Sequence, residues 1–275
     1  MKTFAARRTQ NLTLLTIVCV VLYFAYSVWQ ASLKPTNFYT GWILAGCMIF
    51  LTLYNMRKKL TFLPALGSSA MWLQFHLYIG IFTIFAFVLH VNFHIPNGIF
   101  ESALFILFFA VVGSGVLGIF ITRRSPRLMT RKGETFLYER IPILRKRVKD
   151  EVEKLVFDSI EETNSTTLSD FYLKKLHVYF SRPQNILGHL FESHTPLRTL
   201  KNEVDVVERY LDSNEKEVLQ DIVSYIETKD NLDYQYAHQL MLKGWLFFHI
   251  PVTYALLIFS FVHGVLAYAF HGGGM

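Results

Sequence analysis

Four histidines lie inside the apolar stretches of this 275-residue chain, in two pairs with equal spacing. His76 and His90 form one pair, His249 and His263 form the other, and fourteen residues separate the members of each pair. Fourteen residues of α-helix complete almost four turns and rise about 21 Å, so both histidines of a pair face the same side of one helix. Two such helices side by side predict two bis-histidine sites near opposite faces of a membrane.

The chemistry that suits such sites is iron coordination. A neutral imidazole carries no charge into lipid and binds haem iron strongly through one nitrogen. Iron with two histidine ligands has no open axial position, which favours electron transfer over oxygen binding. The alternative is that the histidines are hydrogen-bonding partners in helix packing, or members of a proton relay. The equal spacing on two helices favours haem, with His76 and His249 binding one haem b and His90 and His263 binding a second.

The composition indicates an integral membrane protein. Hydrophobic residues make up 52% of the chain, and the mean hydropathy is +0.30. Five stretches are long and apolar enough to be transmembrane helices, namely Leu12–Leu33, Phe38–Met56, Trp72–His94, Ile99–Thr122 and Gly244–Phe270. The first has a long apolar run and no convincing cleavage site, so we predict an uncleaved anchor helix rather than a signal peptide.

The basic residues predict the orientation of these spans. They cluster before the first span, after the second and after the fourth, as Lys2, Arg7, Arg8, Arg57, Lys58, Lys59, Arg123, Arg124, Arg127, Arg131 and Lys132. The two opposite loops carry only Lys34. The positive-inside rule therefore predicts an inner (cytoplasmic) membrane protein with a cytoplasmic N-terminus and an outer, periplasmic C-terminus. Spans three and five then run in the same direction, which puts His76 level with His249 and His90 level with His263.

Four segments follow from this reading. They are an N-terminal anchor helix (1–37), transmembrane helices two to four (38–122), a helical cytoplasmic insert (123–243), and transmembrane helix five with a short outer tail (244–275). The insert begins with ten basic and two acidic residues in 123–149, and 150–242 holds eighteen acidic and nine basic residues. We expect the basic part to lie on the anionic inner leaflet. The predicted fold class is an all-α integral membrane protein with five transmembrane helices, a di-haem four-helix core and this insert.

Other candidate residues rank lower. Gly113-Ser114-Gly115 begins a GxGxxG match that ends at Gly118, but it lies inside a predicted span without a preceding strand. Close helix packing is the favoured interpretation, and contact with a haem is the second. His94 follows His90 by four residues and is the second candidate for the outer ligand.

The remaining cysteines and histidines carry no convincing metal pattern. Cys19 and Cys47 form no CxxC motif and are expected to be small packing residues. The histidines of the insert are expected at the surface, and they are His177, His189, His194 and His238.

On the four spaced histidines and the topology, spans two to five resemble the four-helix haem-binding core of cytochrome b in quinol-oxidising bc complexes. They also resemble the transmembrane domain of ferric reductases and NADPH oxidases. The resemblance implies two haem b groups and electron transfer across the membrane. The chain departs from both families through its insert, and it shows neither a flavin or nicotinamide domain nor a Pro-Glu-Trp-type segment of a quinol oxidation site.

The expected function is transmembrane electron transfer through two bis-histidine haems. The chain would be a subunit of an oxidoreductase complex that exchanges electrons with a quinone, a redox partner protein or both. Because the net charge of +6 comes mainly from the inner membrane surface, no nucleic-acid partner is expected. Whether the chain is itself an enzyme, and its oligomeric state, stay open.

Two alternatives belong to other classes. In the first, the chain is a non-redox membrane scaffold or sensor whose helical insert binds a regulator, and its histidines pack helices or sense protons. In the second, it is a ferric or oxygen reductase whose flavin domain belongs to a separate chain. Stoichiometric haem in the purified protein separates the first alternative from the electron-transfer function.

Overall fold

The computed structural model describes residues 4–59, 67–163 and 165–271. Within these ranges the chain is helical and has no β-strand, and five helices are long and apolar enough to cross a membrane. The predicted all-α class, with five long apolar helices, is thereby confirmed. The chain divides into two compact units, a first unit of Met1–Leu117 with Phe247–Met275, and a second unit of Gly118–Leu246.

The first unit contains helices α1 (Phe4–Ala31), α2 (Thr36–Lys59) and α3 (Ser69–His90), with the beginning of α4 (Ile99–Arg131) and the end of α10 (Ser213–His271). The Ser68 hydroxyl accepts a hydrogen bond from the Met71 backbone N–H and so caps the start of α3. At the other end, Asn92 and Phe93 adopt left-handed φ angles of 50° and 59°. The chain leaves the helix there, so α3 ends four residues before the predicted limit of its span.

Side-chain contacts establish the helix directions within the first unit. Helix α2 runs antiparallel to α3 and α10, because its beginning contacts their ends and its end contacts their earlier residues. Because α2 is antiparallel to both of them, α3 and α10 are parallel to each other. Helix α4 also runs antiparallel to α10. Helices α2 and α3 are in contact through Thr40 with His90 and Phe50 with Trp72. Helices α2 and α10 are in contact through Phe38 with Tyr268 and Asn55 with Tyr254. Helices α4 and α10 are in contact through Phe100 with Phe259 and Ser114 with His249.

Phe87 of α3 lies at the centre of the buried core of the first unit. Its ring stacks on Phe108 of α4 with a centroid separation of 3.9 Å, and it also contacts Phe105 and Phe109. Such aromatic pairs add about 0.5–1.5 kcal/mol each beyond the burial of their area. Many apolar side chains on the outer faces of these helices are exposed, including Leu14 at 62%. This distribution is expected for helices surrounded by lipid.

The second unit is a set of shorter helices between the end of α4 and the beginning of α10. They are α5 (Ile141–Thr163), α6 (Thr167–Phe171), a π-helical turn (Tyr172–Leu176), α7 (His177–Ser181), α8 (Ile186–Leu190) and α9 (Thr195–Glu208). Helix α7 ends just before Pro183, and α9 begins with Pro196 in its first turn. Apolar residues at helical spacing form its core, among them Val152, Leu176, Ile222 and Ile226.

Two helices extend beyond the predicted spans. Helix α4 continues past Thr122 and through Pro126 to Arg131. Helix α10 begins at Ser213, well before the predicted fifth span, and then runs without a break through Gly244 and Pro251. Residues 213–243 contain no proline or glycine, so nothing in that stretch ends the helix before the apolar span begins.

A buried cluster of charges lies inside the second unit. The ion cluster consists of Arg145, Lys229 and Asp233, which are 8%, 0% and 1% exposed. The Lys229 ammonium donates to Asp233, and the Arg145 Nε lies 3.3 Å from the same carboxylate. The Gln184 backbone N–H donates to Asp233 Oδ2 at 2.8 Å, and the Lys229 ammonium lies 4.0 Å from the centre of the Tyr179 ring. One carboxylate therefore contacts both buried cations.

Candidate functional site

The structure brings together one histidine from each predicted pair. His90 on α3 and His263 on α10 have ring centroids 6.2 Å apart, and their ring planes are 88° to each other. Both side chains are half-buried. The Phe100 ring of α4 lies 6.3 Å from the His263 ring and stacks on Phe259, which makes the surroundings of this pair largely apolar.

The separation of these two rings fits a shared metal ion. A metal–imidazole bond is about 2.0 Å long, and each ring nitrogen lies about 1.1 Å from its ring centre. Two imidazoles on opposite sides of one ion therefore have centroids about 6.2 Å apart. A direct N–H···N hydrogen bond of about 3.0 Å would instead bring the centroids to about 5.2 Å. The 6.2 Å separation is compatible with the first arrangement, and it also falls in the range of about 4.5–7 Å for an edge-to-face contact between two rings.

A backbone carbonyl orients the His90 ring. The Nδ1 atom lies 3.0 Å from the carbonyl oxygen of Asn37 and 3.3 Å from Thr40 Oγ1. A carbonyl only accepts, so Nδ1 carries the proton and the lone pair is on Nε2, the nitrogen that a metal would use. A Cβ atom at Gly41 would lie 3.0 Å from His90 Cε1, so a glycine here lets the ring pack close to α2.

A serine orients the His249 ring in the same way. The Ser114 hydroxyl donates to the Val111 carbonyl at 2.8 Å, and its oxygen lies 2.7 Å from His249 Nδ1. The serine proton is already engaged, so the oxygen accepts from Nδ1–H. His249 then has the same tautomer as His90, with its lone pair on Nε2.

His76 lies on α3 beside Tyr54 of α2, with ring centroids 5.1 Å apart. Helices α3 and α10 are parallel, and their histidines have the same fourteen-residue spacing. With His90 level with His263, we infer that His76 and His249 share a level about 21 Å away along the helices.

The predicted second candidate for the outer ligand occupies a different environment. His94 was expected on the same helical face as His90, but α3 ends at His90, so this part of the prediction is wrong. The His94 ring contacts the Asn92 carbonyl, and the Asn92 side chain accepts a hydrogen bond of 2.7 Å from the Tyr26 hydroxyl. The polar groups of the turn after α3 are therefore paired with one another and with Tyr26 of α1.

The glycine motif of α4 has two roles. Ser114 lies in the middle of Gly113-Ser114-Gly115 and contacts His249, which sequence reasoning did not anticipate. The Trp245 ring packs directly over Gly118, as the prediction of close helix packing implies. Asn37, Thr40 and Gly41 were also missed as neighbours of His90, because nothing in the local pattern around them distinguishes them.

Two histidines of the second unit are buried, which contradicts the expectation that they lie at the surface. His189 and His238 are 2% and 1% exposed, and both rings contact Tyr234. Burial lowers the pKa of His189 to about 4, so its imidazole is neutral near pH 7. His177 and His194 are exposed, as predicted.

The cysteines and the remaining potential metal ligands do not form a second site within the described ranges. Cys19 and Cys47 are half-buried free thiols. In the described ranges no three His, Cys, Asp or Glu side chains form a group that could hold a metal ion by themselves. A haem iron needs only two protein ligands, because the porphyrin supplies four nitrogens. The side chains of Arg57, Lys58 and Lys59 and the tail after His271 lie outside the described residues.

Comparison with protein-family models, with curated proteins and with solved structures finds no match to this chain.

Proposed function

We propose that this chain is a di-haem membrane cytochrome b that transfers single electrons across the bilayer. His90 and His263 would hold the outer haem b, and His76 and His249 the inner one. The observation that carries the proposal is the His90–His263 pair, whose rings lie 6.2 Å apart on two parallel helices that carry histidines at the same spacing and would supply both protein ligands of one haem. The shared tautomer of His90 and His249 supports it, since both rings direct the same nitrogen away from their orienting partners.

The chain's own residues would bind, orient and shield the cofactors. The Asn37 carbonyl and the Ser114 hydroxyl hold the imidazoles in one tautomer, and this increases their basicity as ligands. Phe100 and Phe259 restrict access of water beside His263. Haem supplies an iron that gains and loses one electron, and the two histidine levels span about 21 Å of an apolar core about 30 Å thick.

Electron exchange with other molecules completes the proposed function. We propose a quinone, a redox partner subunit or both as partners, with the chain acting as one subunit of an oxidoreductase assembly. The basic residues flanking the spans favour the cytoplasmic membrane, with the N-terminus inside and the C-terminus outside. The arrangement of parallel histidine-bearing helices is similar to that expected from the bc-type and ferric reductase-type resemblance.

Haem content tests the proposal directly. Detergent-purified full-length protein, produced with ample haem supply, should give a dithionite-reduced minus oxidised spectrum of b type. Pyridine haemochrome quantification should yield about two haems per chain, because the proposal assigns two histidine ligands to each of two levels. Well-folded protein without haem would overturn the proposal and favour a scaffold or sensor.

Ser114 is expected to position the inner ligand. Replacing it with alanine removes the acceptor for His249 Nδ1–H, so affinity for the inner haem should fall about 10–100-fold and its midpoint potential should rise. Haem retention during dilution and a redox titration measure both effects. Ser102→Ala on the same helix, where the hydroxyl donates to the Pro96 carbonyl, is the matched control. Ser114→Thr should restore the potential, and an unchanged potential in Ser114→Ala would rule out the positioning role.

A further inference from the structure

A short segment of the second unit exposes large apolar side chains beside basic ones. Leu187 on α8 is 72% exposed, and Phe191, directly after α8, is 82% exposed. Left-handed φ angles at Asn185 and Glu192 bracket the segment, and the Ser193 N–H donates to the Gly188 carbonyl. The segment is therefore a compact turn that presents its apolar side chains outward.

The position of this segment follows from an ion pair with α4. The Arg124 guanidinium donates to the Glu192 carboxylate at 2.8 Å, and this contact holds the pKa of Glu192 below its usual range. Arg124 lies two residues beyond Thr122, where the predicted fourth span ends, which corresponds to about 3 Å of helix. If the fourth span ends at Thr122 as predicted, Arg124 would lie at the level of the lipid headgroups, and Phe191 directly precedes Glu192, the partner of Arg124.

A cleft with basic side chains adjoins the same turn. The basic cleft has a volume of about 150 Å³, and its lining residues are Leu128, Arg131, Lys132, Glu192, His194 and Tyr234. Arg124 compensates the charge of Glu192, so Arg131 and Lys132 leave the cleft net positive. The Lys132 ammonium lies 4.8 Å from the centre of the Tyr234 ring, which forms one side of the cleft. The cleft therefore suits one small anionic group.

We propose that the basic cleft binds the phosphate of an anionic phospholipid, with the acyl chains lying beside Phe191 and Leu187. Two cations favour an anionic over a zwitterionic headgroup, and each basic residue near a membrane surface strengthens such binding. The exposed apolar pair argues for a lipid rather than free phosphate, which would leave Phe191 and Leu187 in water. The proposal rests on the contacts of the second unit and does not depend on haem.

Spin labelling tests the apolar half of the proposal. In a full-length Cys19→Ser, Cys47→Ser background, one label is placed at Phe191→Cys and a control label at Phe157→Cys, which replaces a 65%-exposed phenylalanine of α5. The protein is reconstituted in vesicles of equal parts phosphatidylcholine and phosphatidylglycerol. At position 191, lipid-soluble oxygen should relax the spin label and a water-soluble nickel chelate should not. At position 157 the chelate should relax the label and oxygen should not. Equal access of the chelate to both labels would overturn the proposal.

Lipid retention tests the charged half. Native mass spectrometry counts phosphatidylglycerol that stays bound to the full chain in detergent. Arg131→Gln with Lys132→Gln should weaken this binding roughly thirtyfold, whereas the exposed control pair Lys154→Gln with Lys174→Gln should not change it. Excess inorganic phosphate should fail to displace the lipid. Equal retention in both double variants, or displacement by inorganic phosphate alone, would contradict a phospholipid site.

Discussion

Replacing His263 with alanine is expected to remove the outer haem and leave the inner one, lowering haem content from about two to about one per chain. His90→Ala should have the same effect, because the two rings lie 6.2 Å apart on different helices and would share one iron. His76→Ala and His249→Ala should each remove only the inner haem. Pyridine haemochrome assay of each purified variant measures the change.

Double variants identify which histidines act together. His90→Ala with His263→Ala should still retain about one haem, whereas His90→Ala with His249→Ala should retain none, since one ligand is lost at each level. His94→Ala is the matched control and should keep both haems, because His94 lies outside α3. Loss of both haems in the His90, His263 double variant, together with retention in the other, would show that the pairing is wrong.

Asp233→Asn is expected to destabilise the second unit by about 3–5 kcal/mol, the usual result of removing one partner from a buried ion cluster. The substitution keeps the size of the side chain and an acceptor for the Gln184 N–H but removes the charged carboxylate that contacts both Lys229 and Arg145. Denaturant titration of the full chain in detergent, followed by circular dichroism, should show an earlier transition for the variant.

A matched control separates burial from charge. Asp170 is exposed on α6, so Asp170→Asn should change stability by less than about 0.5 kcal/mol. Replacing all three members of the ion cluster with apolar residues, as Arg145→Met, Lys229→Met and Asp233→Leu, should cost less than Asp233→Asn alone. Equal transitions for Asp233→Asn and Asp170→Asn would contradict a structural role for the cluster.

The helical class was predictable from sequence because long apolar stretches are a local property. The helix ends were less predictable. Asn92 is a residue type that tolerates left-handed φ, but the bulky Phe93 rarely adopts it, so the sequence does not predict two such residues in succession after α3. In α10 the opposite occurred, since a polar stretch without proline or glycine joined the apolar span as one helix. The change from polar to apolar residues predicted where the fifth span begins, but α10 does not begin there.

In the candidate site, too, features set by local sequence were predictable and features set by long-range contacts were not. Equal spacing and inferred direction were sufficient to match His90 with His263. The orienting groups were not predictable, because Ser114 and His249 are 135 residues apart and the Asn37 carbonyl belongs to the backbone. Burial of His189 and His238 likewise results from tertiary packing in the second unit, which the spacing of apolar residues does not specify.

The two orienting groups differ in how readily mutation can alter them. The His90 proton is held by the main-chain carbonyl of residue 37, which every amino acid possesses, so a change of side chain at that position preserves the acceptor. The His249 proton is held by the side chain of Ser114, and one codon change removes it. If both histidines are ligands, the inner centre is open to adjustment by single substitutions during evolution, whereas the backbone protects the outer centre.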